Sequence, residues 1–296
     1  MGVGNIDLSF IISTKNRLEF LKITLNKLIS IIKPNEEIVV VDGDSDDGTK
    51  EYLAELQLAG QIHQYISEAD RNQAHGWNKA MLLAKGTIIK KIVDDDVFDY
   101  TAIRKCANFM LKNPCIDVVI SNELNAILSN FKQIGKSSRL TQFIDWKKGN
   151  TASFTFSDVH LLIKKSAISY LGLYHTSFVM MDWEYALRIS FLKAKIAYYT
   201  GYNALSIGHA GSISANKNAK LVYQQGENIR LMYNYIGDGA EISSWSRVKI
   251  YIGKILFSRP QNVVKLNSQP GLDAIYSYFY SSIKKSNEQV DAEFIS

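Results

Sequence analysis

Apolar residues along the first 120 positions switch between two periods. Short runs rich in Ile and Val, at 8–13, 38–41, 62–66 and 87–93, read as strands. Between them the apolar positions recur at helical spacing. Leu18, Leu21, Leu25, Leu28 and Ile32 form the first such stripe, closed by Pro34. Tyr52, Leu53 and Leu56 mark a second helix, and 74–84 a third, broken by Gly86. A helix over 102–111 and a strand over 117–121 continue the alternation. This order predicts βαβ units, hence an α/β fold with a mainly parallel central sheet and flanking helices.

Beyond residue 122 the pattern weakens. Residues 123–157 read as irregular chain with short strands, 159–163 as a strand and 183–192 as a helix. Short strands are expected at 198–199 and 205–207, and a helix at 220–235. Trp245, Val248, Ile252, Ile255 and Leu256 then form an apolar stripe flanked by Arg247, Lys249, Lys254 and Arg259. A basic amphipathic helix of this kind can lie on an anionic membrane surface or pack on the body of the protein or a partner copy. The last ten or so residues are polar and acidic, and are expected to fray. There is no internal repeat.

Composition adds limits. The 296 residues are 46% hydrophobic and 21% charged, as in an ordinary globular protein. A net charge of +5, and no basic tract interleaved with aromatics in the first 240 residues, argue against a nucleic-acid groove. Cys106 and Cys115 make no C-x-x-C pair, which fits a reduced, cytoplasmic protein. Asp7 interrupts the first apolar run, unlike a signal peptide, and no run of about 18 apolar residues could span a membrane.

The candidate chemistry sits at the strand ends. Ser13-Thr14-Lys15-Asn16-Arg17 follows the first strand, and Asp42-Gly43-Asp44-Ser45-Asp46-Asp47-Gly48-Thr49 the second. Glu68-Ala69-Asp70-Arg71-Asn72-Gln73 follows the third, and Asp94-Asp95-Asp96 the fourth. In open α/β sheets that edge is where ligands bind. Three adjacent carboxylates at the end of a buried strand repel one another, and Mg²⁺ or Mn²⁺ is the natural remedy; a solvated turn or helix cap is the alternative. An EF-hand reading of Asp42, Asp44 and Asp46 fails, because Asp47 and Leu53 occupy the positions needing Gly and Glu. No phosphate loop or G-x-G-x-x-G fingerprint is present, so carboxylates and a metal would have to hold any nucleotide.

Taken in order, these clusters resemble family 2 inverting glycosyltransferases of the GT-A fold, the bacterial surface-polysaccharide type. The segment 9–17 is similar to the family's opening strand and loop, with Lys15 where Tyr is usual. The segment 37–49 is close to V-V-D-x-x-S-x-D-G-T, and 68–79 resembles E-P-D-x-G-x-x-D-A-x-N-K, departing at Ala69, Asn72 and His75. The aspartate triplet stands in for the D-x-D motif, in either of two registers.

The resemblance implies a catalytic domain over 1–215, with a nucleotide-binding half (1–121) and an acceptor half (122–215), and a helical extension over 216–296. It places Thr14, Arg17, Asp42, Asp44, Asp70, Arg71, Asp94 and Asp95 on the nucleotide-sugar donor, with Asp42 accepting from uracil N3–H. It gives Asp96 to Mg²⁺ or Mn²⁺, with His209 in the late loop adding an imidazole to the metal or diphosphate. Asp182, in Met180-Met181-Asp182-Trp183-Glu184, takes the position of the base that deprotonates the acceptor hydroxyl. Glu184 is its rival, and a simple helix cap the alternative. Asp42 and Arg71 as turn charges, and His209 as an ordinary loop residue, likewise stay open.

The implied function is sugar transfer from a nucleotide-sugar donor, UDP-linked by this reading. The acceptor is a saccharide or a polyprenyl-diphosphate-linked saccharide, which suits peripheral contact with the inner membrane face through 245–259. A nucleotidyltransferase and a non-catalytic sugar-nucleotide-binding protein are the rival readings. The first is weakened by the absence of Gly from 13–17.

Overall fold

The computed structural model describes residues 6–209, 219–237 and 270–296. Strands β1 (Leu8–Thr14), β2 (Glu36–Asp42), β3 (Gln64–Ser67) and β4 (Ile88–Lys91) alternate with helices α1 (Leu18–Ile29), α2 (Thr49–Leu58) and α3 (Gln73–Leu83). Then follow β5 (Val97–Phe98), α4 (Tyr100–Lys112), β6 (Val118–Ile127), β7 (Ile134–Ser137) and α5 (Leu140–Lys147). Strand β8 (Leu162–Lys164), helices α6 (Ile168–Leu171) and α7 (Met181–Phe191), and strand β9 (Ile196–Gly208) complete the central body. Helices α8 (Ala219–Met232) and α9 (Leu272–Glu288) and strand β10 (Phe294–Ile295) end the described chain.

The strands form one mixed sheet in the order β10-β9-β6-β8-β4-β1-β2-β3, with β5 on β9 and β7 on β6. The sequence-predicted parallel unit is the β4-β1-β2-β3 half. Strand β8 runs antiparallel to both β4 and β6, so the sheet changes sense there. Period-2 alternation sorts the parallel strands onto two cores. Ile11, Val39, Val41 and Ile89 pack with Trp77 of α3 and Tyr185 of α7. Phe10, Ile12, Ile38 and Val40 pack with Leu21 and Leu25 of α1, Leu53 of α2 and Ile103 of α4.

Five expectations change. Strand pairing stops at Lys91 rather than 93, leaving the aspartates in a turn closed by Asp96 N–H donating to Val93 O at 3.2 Å. The irregular stretch holds α5, and the strand expected at 159–163 begins only at Leu162, behind a 3₁₀ turn over Asp158–His160. The two short strands expected around 198 and 205 are a single 13-residue strand, β9. The tail does not fray: β10 pairs antiparallel with β9, and Phe294 stacks on Phe109 at 4.1 Å and Tyr199 at 4.9 Å. The stripe at 245–259 lies outside the described residues. No described helix is long and apolar enough to cross a membrane.

Candidate functional site

Parallel pairing aligns the strand ends, with Thr14 opposite Asp42 and Asp42 opposite Ser67. The loops beyond them are tied together. Asn16 N–H donates to Ser45 Oγ at 2.8 Å, and Asp46 N–H to Asn16 Oδ1 at 2.9 Å. Asp47 caps two helices at once, accepting from Leu18 N–H (2.9 Å) at the start of α1 and Thr49 N–H (3.2 Å) at the start of α2. Gly48 precedes α2 at φ +92°, a conformation that favours glycine, as the Asp-Gly pair predicts.

The acidic turn is nearly all buried, with Asp94, Asp95 and Asp96 at 2%, 5% and 8% exposure. Thr14 Oγ1 donates to Asp94 Oδ2 at 2.6 Å, and Thr24 Oγ1 to the Asp94 carbonyl at 2.8 Å. Arg17 reaches Asp94 Oδ1 at 3.2 Å and makes a shorter contact with Asp95. His209 Nε2 lies 2.8 Å from Asp95 Oδ2, and Ile207 N–H donates to Asp96 Oδ1 at 2.7 Å. Burial, and then the neighbouring Asp95 charge, push the Asp94 carboxyl up to about 6 despite Arg17. The same two causes lift Asp96 well above the usual carboxylate range.

Beside this turn lies a cleft of about 300 Å³ lined by Thr14, Arg17, Asp70, Arg71, Val93 and Asp94, among others. That is within the lower range of small-molecule sites. Asp70 pairs with Lys79 of α3 at 2.6 Å, and exposed Arg71 borders the opening. Asn72 caps α3 by accepting from His75 N–H at 3.1 Å. Gly76 is needed beneath Asp70: a Cβ there would stand 2.5 Å from Asp70 Oδ2 and closer still to Ser13 Oγ. Gly76→Ala is therefore expected to displace Asp70 and Ser13 and to cost about 1–3 kcal/mol of folding stability, as overpacking does. Denaturant unfolding checks this.

Thr14, Arg17, Asp70, Arg71 and the triplet thus come together, with His209 at the triplet's edge. Two expected donor residues stand apart. Asp42 is fully buried and accepts from Ser45 N–H (3.1 Å), Ser45 Oγ and Ser67 Oγ (2.6 Å), so in this state it organises the loop. Asp44, at φ +68°, pairs with Lys50 of α2 and is about half exposed.

Asp182 occupies the first turn of α7 and is half-buried; Met180, not Asp182, holds the cap position. Glu184, its rival in the sequence, is held by other side chains. It is fully buried, with both oxygens 2.9 Å from the Arg188 guanidinium and a further hydrogen bond from Tyr233 of the α8 end.

Sequence reading missed a buried cluster below the site. Lys91 Nζ lies 2.6 Å from Asp158 Oδ2, and Tyr174 Oη donates to the same oxygen at 2.7 Å. The only local signal was a lysine pair inside an apolar strand.

The donors around the triplet suit a hard divalent cation: carboxylate oxygens, one imidazole, and three crowded carboxyl groups with one guanidinium, that of Arg17, paired to them. Among the described residues no group of three or more His, Cys, Asp or Glu already forms a metal cage. An ion that keeps positions open for substrate phosphates needs only one or two protein carboxylates.

Residues 9–172, more than half of the chain, match Glycosyl transferase family 2, and the chain belongs to that family. It is 24% identical over 195 residues to a poly-beta-1,6-N-acetyl-D-glucosamine synthase of Staphylococcus epidermidis, covering 64% of this chain and 47% of that one. It is 26% identical over 108 residues to the putative teichuronic acid biosynthesis glycosyltransferase TuaG of Bacillus subtilis, covering 36% and 43%. The chain thus spans about half the length of these relatives.

The fold is that of S. aureus TarS 1–349, solved in complex with UDP-GlcNAc (TM-score 0.60, 15% identity, 95% of this chain and 81% of that one). It also resembles the mannosyltransferase PcManGT of Pyrobaculum calidifontis, solved with GDP-Man and Mn²⁺ (TM-score 0.51, 17% identity, 78% and 62% covered).

Proposed function

We propose that this chain transfers a sugar, with inversion, from a nucleotide-diphosphate donor to a saccharide or lipid-linked saccharide in cell-surface polysaccharide assembly. The observation that carries the reading is the cleft itself, where Thr14, Arg17, Asp70 and Arg71 meet a buried carboxylate turn. The relatives' names favour surface polysaccharide, the UDP-GlcNAc complex of TarS favours a UDP-linked donor, and the Mn²⁺ complex of PcManGT favours a divalent ion.

Asp70 and Arg71 border the nucleoside end, and Arg17 and Thr14 fix the Asp94 carboxylate at the phosphate end. Asp96 and His209 would hold Mn²⁺ or Mg²⁺ beside Asp94 and Asp95 on the donor, and the ion would supply a Lewis acid that stabilises the departing diphosphate. Asp182 takes the proton from the acceptor hydroxyl as its oxygen bonds to the anomeric carbon and the bond to the diphosphate oxygen breaks. The basic stripe at 245–259 supports peripheral contact with the inner face of the cytoplasmic membrane on its sequence alone.

A panel of UDP-, GDP- and dTDP-sugars tests the reading. Metal-dependent binding, with slow hydrolysis of one UDP-sugar in Mn²⁺, is the expected result. Failure of every donor to bind in the presence of metal would overturn it.

A further inference from the structure

One polar contact reaches the acidic turn from far outside the stretch that matches the family. Tyr276 of α9 donates its hydroxyl to the Asp95 carbonyl at 2.6 Å, across 181 residues of chain. The ring is 1% exposed and packs among Val97, Leu124, Leu205 and Ile207, which fixes it on the sheet next to the turn. Phe20 of α1 wedges beside it, tilted against Tyr276 at 6.1 Å and stacked on His209 at 4.9 Å. Asp95 is therefore held at both ends, its carbonyl by Tyr276 and its carboxylate by Arg17 and His209.

The turn needs such anchors. Three adjacent, nearly buried carboxylates push one another apart, and this repulsion grows as water is excluded. Its backbone cannot relax outward while Asp94 O and Asp95 O are both bonded, by Thr24 and Tyr276.

We propose that Tyr276 is a positioning residue for the metal-binding turn, which makes α9 a part of the transferase site. This rests on the reading of Asp96, and of His209 in contact with Asp95, as the metal edge. Groups that orient metal ligands typically change metal affinity by about 10–100-fold when removed.

The test compares Tyr276→Phe with Tyr280→Phe, one turn further along α9, whose hydroxyl has no hydrogen-bond partner among the described residues. Full-length protein is titrated with Mn²⁺ in the presence of UDP, and amide exchange is followed separately without metal. Tyr276→Phe is expected to raise the Mn²⁺ dissociation constant about 10-fold or more. It should also speed exchange of the 95–97 amides while leaving those of β1 unchanged. Tyr280→Phe is expected to do neither.

Should Tyr276→Phe fail to fold, Phe20→Leu keeps the phenol but removes the wedge, and must weaken Mn²⁺ binding in the same direction. Wild-type exchange rates and Mn²⁺ affinity in the folded Tyr276→Phe protein would overturn the proposal. Faster exchange at 95–97 in a protein whose wild type binds no Mn²⁺ would instead overturn the metal-edge reading, leaving Tyr276 as an anchor of the turn alone.

Discussion

Asp182→Asn is expected to lower turnover by about 10²–10⁴-fold, the usual contribution of a positioned general base. Donor affinity should stay within about 2-fold, because the Asp182 side chain is not among those lining the donor cleft. Asn keeps the size and polarity of Asp but cannot take a proton at neutral pH. Two other accounts of Asp182 give different results. A first-turn carboxylate that only favours the helix dipole contributes about 0.3–1 kcal/mol, so its loss would shift Tm by a few degrees and spare turnover. A binding module would lose no measurable property. Comparing kcat with the dissociation constant of the donor separates these cases, and unchanged kcat would remove Asp182 from the mechanism. Glu184→Gln makes a useful contrast, because that carboxylate is bonded to Arg188 and Tyr233 and its loss should act on stability.

The polar clusters at the strand ends were legible because each follows directly on a strand-like run. Thr14, Arg17, Asp70 and Asp94 each follow an apolar run, and parallel pairing carries those runs to one edge. Asp42 lies at that edge too, with one partner that its own segment does not reveal. Ser45 and Ser67 satisfy its carboxylate, and Ser67 comes from another strand.

Strand β9 was read as two pieces because Thr200, Gly201 and Asn203 interrupt its apolar pattern. Asn203 is fully buried there, holding His160 O at 2.9 Å and facing the buried Lys90 at 3.2 Å. A polar residue whose partners lie on other segments looks like loop in one dimension. The tail misled for the same reason. Phe294 looks like a lone aromatic in an acidic stretch until Phe109 and Tyr199 are brought to either side of it. Tyr276 offered no local signal at all, since its partner is 181 residues away.

Lys91→Met is expected to cost about 3–5 kcal/mol of folding stability, the range for breaking a buried ion pair by removing one partner. The Lys91 and Asp158 side chains are 7% and 3% exposed, with Nζ 2.6 Å from Oδ2. The ammonium also lies 4.5 Å from the Trp77 ring centre and 5.5 Å from that of Tyr174, which adds cation–π attraction in a desolvated setting. Met would fill much of the lysine stem's volume, so most of the loss would come from the charge left behind on Asp158. Among the described residues, Tyr174 would remain as the hydroxyl donor to that carboxylate. Denaturant unfolding measures the difference, and a loss below about 1 kcal/mol would mean that water or another group reaches Asp158 when the lysine is gone. The double variant Lys91→Met/Asp158→Leu decides the cause. With neither charge present, much of the stability should return, as it does when buried pairs are replaced by apolar side chains of similar size. If the double variant is instead as unstable as the single one, the lysine stabilises this core through its packing on Trp77 and Tyr174 rather than by neutralising Asp158.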